Sequence, residues 1–331
     1  MRSAASLRLN LVLAALLLVL AFGSLFVGYA PLTADQVVGG LFGCRDDTAV
    51  VIQSVRLPRM ILGVLVGASF SIAGAALQGL LRNPLAEPSV IGISPMAGFG
   101  AVIALYFGWT AVTPFALPVA AMIGALVAAL LLFTIASRDA SVLTLILAGS
   151  ALASLAIALT SLAVNFAPNP FAISEIVYWL MGSLKDRSFT DVLLGAPFMI
   201  LGFALLMLTG RGLDALSLGD DVAASLGTNL RRLAILVLGG VTLTVGAATA
   251  VTGAIGFVGL MVPHIMRPFV GHEPHRLLLP SALGGSILVV AADTAVRAMH
   301  TTPELMIGVV TSLIGAPFFL HLIFTTRRTM R

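Results

Sequence analysis

Charged residues, lysine and cysteine are scarce in this chain. Aspartate, glutamate, lysine and arginine make up 10% of its 331 residues. Cys44 is the single cysteine, which excludes an internal disulfide bond and a zinc site built from cysteines. Lys185 is the single lysine, and its surroundings, GSLKDR, lack the Gly-x-x-x-x-Gly-Lys-Ser/Thr pattern of a phosphate-binding loop. We therefore expect no ATP hydrolysis by this chain, no catalytic residue and no cofactor of its own.

Positive charge and histidine are too dispersed to form a recognisable site. The formal net charge is +4, but the basic residues form no cluster with interleaved aromatic residues, which excludes a nucleic-acid partner. The five histidines contain no H-E-x-x-H pair, so no metal site is predicted. An enzyme acting inside a membrane would need a Ser/Lys, histidine-rich or paired-aspartate centre, and the sequence offers none.

Apolar sequence is abundant instead. Hydrophobic residues make up 59% of the chain, and the mean hydropathy is +1.09. Because a soluble protein of this length could not bury so much apolar surface, the sequence predicts an all-α polytopic membrane protein, with 1–331 as one transmembrane domain in contact with lipid. About ten membrane helices are expected, at 9–29, 58–81, 93–108, 113–136, 141–164, 190–209, 231–252, 254–270, 278–298 and 305–324.

Local features refine this topology. The eighth segment is rich in glycine and contains Pro263 and Pro268, so we expect it to be broken or kinked. The first segment is longer than the apolar core of a signal peptide, which favours a retained helix. With a cytoplasmic N-terminus, twelve arginines fall in inner segments, and six arginines and lysines fall in outer ones. Since positive residues are enriched in cytoplasmic loops, we expect both termini in the cytoplasm.

The segment 213–230, LDALSLGDDVAASLGTNL, is a polar interruption between two apolar segments. It predicts a short helix with negative charge at its N-terminus and a glycine at its end. Such a helix, exposed between two membrane spans, has no packing role by itself, so we interpret it as a docking element for a cytoplasmic partner. The residues expected to form it are Gly219, Asp220, Asp221, Val222, Ser225, Leu226 and Gly227.

Two apolar stretches resemble each other weakly. Residues 59–84 and 232–263 each begin with arginine, continue through sequence rich in glycine and alanine, and end at proline. They lie five membrane segments apart and would run in opposite directions, as in the inverted internal repeats of transporters. Small residues recur in all membrane helices, so chance similarity is the alternative.

One long motif makes the chain similar to a known family. RLPRMILGVLVGASFSIAGAALQGLLRNPLAEPSVIGISPMAG, at 56–98, resembles the signature of FecCD-type permeases, the membrane subunits of ABC importers for iron–siderophore chelates, haem and cobalamin. Further blocks agree in consistent order at 143–152, 177–184, 216–233, 252–285 and 303–323. The resemblance implies ten helices per subunit and a homodimer, or a dimer with a close paralogue. It also implies two cytoplasmic ATPase subunits, which bind the ATP, and a periplasmic substrate-binding protein.

The resemblance also implies a docking role for three arginines. In relatives, basic residues that correspond to Arg56, Arg59 and Arg297 pair with acidic residues of the binding protein. The guanidinium fork suits a carboxylate, and exposed pairs of this kind set orientation and association rate. Without the resemblance, these residues would be interpreted as anchors at the membrane interface.

A cytoplasmic gate is implied in the same way. In relatives it lies where the second span turns into Asn-Pro-Leu, which corresponds to Asn83 and Leu85, and at the turn between the fourth and fifth spans, which corresponds to Val142 and Leu143. Relatives can carry small polar residues at the second turn, so this chain would gate there by an apolar constriction. Ordinary turn residues are the alternative for all four.

These observations predict the permease subunit of an ABC importer in the bacterial inner membrane. The expected cargo is a bulky iron chelate, a siderophore complex or haem, carried from the periplasm into the cytoplasm; cobalamin is the alternative. An autonomous secondary carrier is the alternative mechanism. Such carriers usually hold acidic groups deep in the membrane, whereas Asp293 and Glu304 fall near the outer ends of their segments.

Overall fold

A computed structural model describes residues 2–42, 47–138 and 142–329, and within these ranges all regular structure is helical. A π-helix, Val51–Arg56, joins α3 to α4, and short 3-10 helices lie at Trp109–Ala111 and Arg267–Val270. The α-helices are α1 (Arg2–Ser24), α2 (Ala34–Leu41), α3 (Asp47–Val50), α4 (Leu57–Leu80), α5 (Ile93–Tyr106), α6 (Ala116–Arg138), α7 (Val142–Asn165), α8 (Pro170–Leu180), α9 (Phe189–Leu208), α10 (Gly210–Ser217), α11 (Asp220–Ser225), α12 (Leu230–Thr252), α13 (Val258–Met266), α14 (Pro274–Ala298) and α15 (Ile307–Thr329).

The all-helical membrane architecture is confirmed. Each of the ten apolar segments coincides with a helix, namely α1, α4, α5, α6, α7, α9, α12, α13, α14 and α15. Among the described residues, seven helices are long and apolar enough to cross a membrane. The apolar helical stretches in α5, α13 and α15 are shorter, at Ile93–Tyr106, Val258–Val270 and Ile307–His321. The number of ten spans therefore stays a prediction. The sequence reading missed α8, an apolar helix of 11 residues that starts with proline at its first position and is capped by Asn169.

Helices α4 and α12 form the centre of the fold. In each, 72% of the most apolar stretch is buried by the rest of the chain, whereas the corresponding fraction is 17% in α7 and 6% in α1. Small residues allow the close packing: a Cβ atom at Gly74 would overlap the backbone of Gly259, and one at Gly67 would overlap Gly285. Close approach of backbones at small residues is the usual basis of helix association in membranes.

The break predicted in the eighth segment is confirmed, and a similar break lies between α4 and α5. After α12 the chain leaves helical geometry, and α13 begins after Phe257, whose φ of 67° is left-handed; the helix then passes into a 3-10 turn at Arg267. After α4 the chain likewise forms a loop, and α5 begins after Gly92 with φ 83°. The two loops meet where the buried side chain of Glu87 accepts hydrogen bonds from Phe257 N at 3.2 Å and Ser89 Oγ at 2.9 Å. The inverted repeat itself stays a prediction.

Candidate functional site

The predicted docking helix is present as α11, Asp220–Ser225. Gly219, with φ 109°, precedes it, and Asp220 and Asp221 occupy its first turn, where negative charge stabilises a helix. Its end is a Schellman motif: Thr228 N donates to Ala223 O, and Gly227 N donates to Ala224 O, both at 2.9 Å. Gly227 is in the left-handed conformation, with φ 82°, that this motif requires.

The exposed face of α11 combines polar residues with apolar ones. Val222 exposes 45% of its surface and Leu226 64%, while Ala223 is buried against the protein. Ser225 closes the helix locally, because its Oγ donates to Asp221 O at 2.8 Å. An acidic first turn beside two exposed apolar side chains agrees with the predicted docking element, whose role stays a prediction.

Residues 213–218 differ from the expectation of a single short helix in 213–230. Residues 213–217 belong to α10 and Leu218 is its C-cap; α10 follows α9 almost without interruption. The backbone N–H of His275, in the first turn of α14, donates to Asp214 Oδ1 at 2.9 Å and fixes α10 to the rest of the protein. The docking segment is therefore held by a second helix that the sequence did not reveal, because its glycines at 210 and 212 disfavour a helix in isolation.

An ion pair links α11 to the end of α4. Arg82 and Asp220 lie 2.9 Å apart, with 40% and 53% of their side chains exposed, and we call them the loop–helix pair. Arg82 adopts a left-handed φ of 47°, which is uncommon for a residue with a side chain. The next residue, Asn83, accepts a hydrogen bond from Leu85 N at 2.9 Å and so fixes the turn of the predicted gate.

The predicted gate residues are only partly located. Leu85 exposes 42% of its surface and Leu143 66%, so both present apolar side chains outside the packed core. Val142 is the first residue of α7, but its side chain lies outside the described residues. The role of these residues as a gate stays a prediction.

The arginines predicted to dock the binding protein are brought together, but the expectation that they are exposed is wrong. Arg59 is buried, with its Nε 2.9 Å from Asp293 Oδ1, and it also forms an ion pair with Glu304. Arg297 is buried too, with Nε 3.0 Å from Asp293 Oδ2. We call the group Arg56, Arg59, Asp293, Arg297 and Glu304 the arginine network. Acidic partners from within the chain already occupy the guanidinium groups of Arg59 and Arg297, and this explains their burial.

The arginine network also holds the segment that follows α1. Arg297 donates from Nη1 to the carbonyl oxygens of Ser24 at 3.0 Å and Val27 at 2.7 Å. Buried Arg56 donates to the carbonyl oxygens of Leu25 and Ala30. Carbonyl groups beyond a helix end need such donors. A signal for this network was present in the sequence: Asp293 and Arg297 are four residues apart on one helix, and ionisable residues in apolar helices are usually paired.

Comparison with known proteins decides the family. The family model of the FecCD transport family matches residues 16–325. The chain belongs to the FecCD transport family. The members of this family are membrane permease subunits of ABC importers and are not enzymes, which sets aside the autonomous carrier and the intramembrane enzyme. Membership implies an ATPase, a substrate-binding protein and a second permease subunit as partners, and a multi-pass location in the inner membrane.

Individual relatives cover most of the chain. It is 38% identical to the Fe(3+)-citrate import system permease protein YfmE of Bacillus subtilis, over 95% of this chain and 93% of that protein. It is 42% identical to the cobalamin import system permease protein BtuC of Halobacterium salinarum, over 85% and 75%. The hemin transport system permease protein HmuU of Yersinia pestis is 36% identical, over 94% of each.

A solved structure matches over nearly the whole length. It is described as an inward-facing conformation of a metal-chelate type ABC transporter, with a TM-score of 0.87 and 31% sequence identity. The match covers 96% of this chain and 99% of that one. The likeness to known proteins therefore extends over nearly the complete fold and is not restricted to the motif at 56–98.

Proposed function

We propose that this FecCD permease forms a homodimer that carries a bulky iron chelate, a siderophore complex or haem, into the cytoplasm. Two ATPase subunits bind and hydrolyse the ATP, and a periplasmic binding protein delivers the cargo. The observation that carries the proposal is α11, because its exposed Val222 and Leu226 follow an acidic first turn that is paired to the end of α4. An ATPase that grasps α11 thereby acts on the loop that contains Asn83 and Leu85.

The cargo proposal follows from chemistry that the relatives share. Fe(3+)-citrate, hemin and cobalamin, named for three relatives, are all metal chelates. Iron chelates are the first choice, because they are named for two of these three relatives, and cobalamin is the second candidate. Since FecCD permeases act with a binding protein, we place the selection of the cargo mainly on that partner.

The same proposal includes an orientation and an outer docking region. Both termini and α11 face the cytoplasm, and the arginine network faces the periplasmic side. Buried as they are, Arg56 and Arg297 would support binding-protein docking through the segment 24–30, which they hold by its carbonyl oxygens, rather than by direct contact. The docking role assigned to Arg59 stays part of this proposal through its neighbours in the network.

Reconstituted transport tests the role of α11. The permease is assembled with its ATPase and binding protein in liposomes, and uptake of radiolabelled ferric citrate, hemin and cobalamin is measured for Leu226→Asp. Uptake should fall sharply while insertion and folding persist, because the side chain lies on the surface. Leu218→Asp is the matched control, since Leu218 also exposes 64% of its surface but precedes α11. Normal uptake by Leu226→Asp would contradict the coupling role.

Thiol labelling tests the orientation. Cys44 is first replaced by serine, and single cysteines are then introduced at Ser225 and Lys185, both of which are exposed. A membrane-impermeant maleimide should label Ser225→Cys only from the cytoplasmic side and Lys185→Cys only from the outside. If both cysteines were labelled from the same side, the proposed topology would be wrong, but membership of the FecCD family would be unaffected.

A further inference from the structure

A cavity with both polar and apolar lining lies between the end of α4 and the beginning of α14, next to α11. Its volume is about 220 Å³, and its lining includes Gln78, Arg82, Ser217, Arg267 and His272. Two arginines and a histidine thus face one small space, and none of the described residues lines it with an acidic side chain. The space is large enough for several water molecules or for one hydrated anion.

The positive charge in this cavity is only partly compensated. Arg82 is paired with Asp220 in the loop–helix pair. Arg267 donates from Nη2 to Gln78 Oε1 at 2.6 Å, and this partner is neutral. Within the described residues, no carboxylate lies at ion-pair distance from Arg267, and its neighbours include the histidines His264 and His272. A half-buried guanidinium without a counter-charge attracts an anion from outside the chain.

The cavity is also built from unusual backbone. Arg82 has φ 47° and His272 has φ 66°, both in the left-handed region. The side chain of Gln78 is 3% exposed and fixes one side of the Arg267 guanidinium, so the rest of that guanidinium has a defined direction. Left-handed residues other than glycine concentrate at functional sites, where surrounding structure holds them.

We propose that this cavity binds a phosphate-class anion between Arg82, Arg267 and His272. The planar guanidinium group matches the oxygen atoms of a phosphate through paired N–H donors, and a second arginine and an imidazole supply further donors. The ligand comes from one of two sources with the same chemistry, either the headgroup of an anionic phospholipid or a soluble phosphate. Basic pockets between membrane helices are known to bind such headgroups.

Binding is measured on the purified permease alone, so failure of this inference leaves the proposed transport function untouched. The protein is placed in nanodiscs of phosphatidylcholine, and thermal unfolding is followed as inorganic phosphate replaces chloride at constant ionic strength. Phosphate should stabilise the protein in a saturable manner. In Arg267→Gln, the apparent Kd should rise by on the order of tenfold, and Arg82→Gln should weaken binding as well.

Two further variants keep the result interpretable. Arg267→Lys retains the charge without the fork and should bind phosphate with intermediate affinity, which separates binding from a general loss of folding. Arg211→Gln is the matched control, because Arg211 is an exposed arginine of the neighbouring α10 that does not line the cavity, and its phosphate response should equal that of the unchanged protein.

Nanodiscs that contain phosphatidylglycerol distinguish the two sources. If the headgroup occupies the cavity, the response to inorganic phosphate should disappear in these discs, and native mass spectrometry should show retained phosphatidylglycerol that is lost in Arg267→Gln. If a soluble phosphate is the ligand, the response should persist. Absence of both effects, or equal effects in Arg267→Gln and Arg211→Gln, would overturn the proposal.

Discussion

The two ends of α4 use arginine in opposite ways. At its beginning, Arg59 is 7% exposed and contacts two buried carboxylates, Asp293 and Glu304. Just beyond its end, Arg82 pairs with Asp220 while both side chains remain 40% or more exposed. A buried ion pair becomes indispensable once formed, because removal of one partner leaves a charge without solvent, whereas an exposed pair contributes little to stability. The first site therefore stabilises the fold, whereas the second contributes little to stability, and we expect its effect to be on transport.

The largest effect is expected from Arg59→Met. Asp293 would keep Arg297, but Glu304 would lose the arginine that neutralises it, so the free energy of unfolding should fall by about 3–5 kcal/mol. Thermal unfolding in detergent, followed by tryptophan fluorescence, measures the change. Arg59→Lys keeps the charge and should lose less. If Arg59→Met unfolds at the same temperature as the unchanged protein, the distinction between the two ends of α4 is wrong.

Gly74→Ala tests whether a disturbance of close helix packing, with no charge involved, also lowers the free energy of unfolding. The added methyl group would overlap the backbone of Gly259 and force α4 away from α13, at a cost of about 1–3 kcal/mol. Gly239→Ala is the matched control in α12, because its Cβ would meet no atom within 4 Å. The same unfolding assay should find the control unchanged or slightly stabilised. A harmless Gly74→Ala would show that the helices are less closely packed than described.

Two asparagines cap helices in the same way, so the loss of either cap should lower the free energy of unfolding by a similar amount. Asn169 Oδ1 accepts from Ala172 N at the start of α8, and Asn229 Oδ1 accepts from Arg232 N at the start of α12, both at 2.9 Å. Both asparagines are exposed. Each Asn→Ala change should lower the free energy of unfolding by about 0.5–2 kcal/mol, because one backbone donor loses its partner. Markedly unequal losses would indicate that one cap also has a role in packing.

The smallest effect on stability is expected at the loop–helix pair. Arg82→Gln or Asp220→Asn should change the free energy of unfolding by about 0–1 kcal/mol, since water and salt screen the charges. The amount of cargo carried per ATP hydrolysed should nevertheless decrease in reconstituted transporters. The exchange Arg82→Asp with Asp220→Arg should restore part of this coupling. A coupling ratio that is unchanged in all three variants would leave the pair without a role in transport.

Sequence reasoning located the exposed helix α11 better than the buried arginine network. Gly219, Leu226 and Gly227 are recognisable because capping and local helix chemistry depend on neighbours in the chain. The burial of Arg59 was missed because it depends on Asp293 and Glu304, which are 234 and 245 residues away. Charge near the end of an apolar segment is equally consistent with an anchor at the membrane surface and with an internal ion pair, and only the fold distinguishes them.

The long helices were predictable for a similar reason, because they depend on residues that are close together in the chain. Long apolar segments report on helices directly, and each of the ten drawn from the sequence coincides with one. By contrast, α8 and α10 have 11 and 8 residues, lengths at which packing rather than composition decides whether a helix forms. The cavity at Arg267 could not be predicted, because its lining comes from α4, α10 and the segment around α14.

The contact between Glu87 and Phe257 has a consequence for the conformational cycle. It joins the loops after α4 and α12, the two most deeply packed long helices, and tightly packed elements move as one body. Helix α7, with only 17% of its apolar stretch buried, has far fewer contacts to give up. We therefore expect α4 and α12 to turn together while α7 changes its distance to both. Spin-label distances between α4 and α12 should stay constant through ATP turnover, and a change as large as that between α4 and α7 would contradict this rigid pairing.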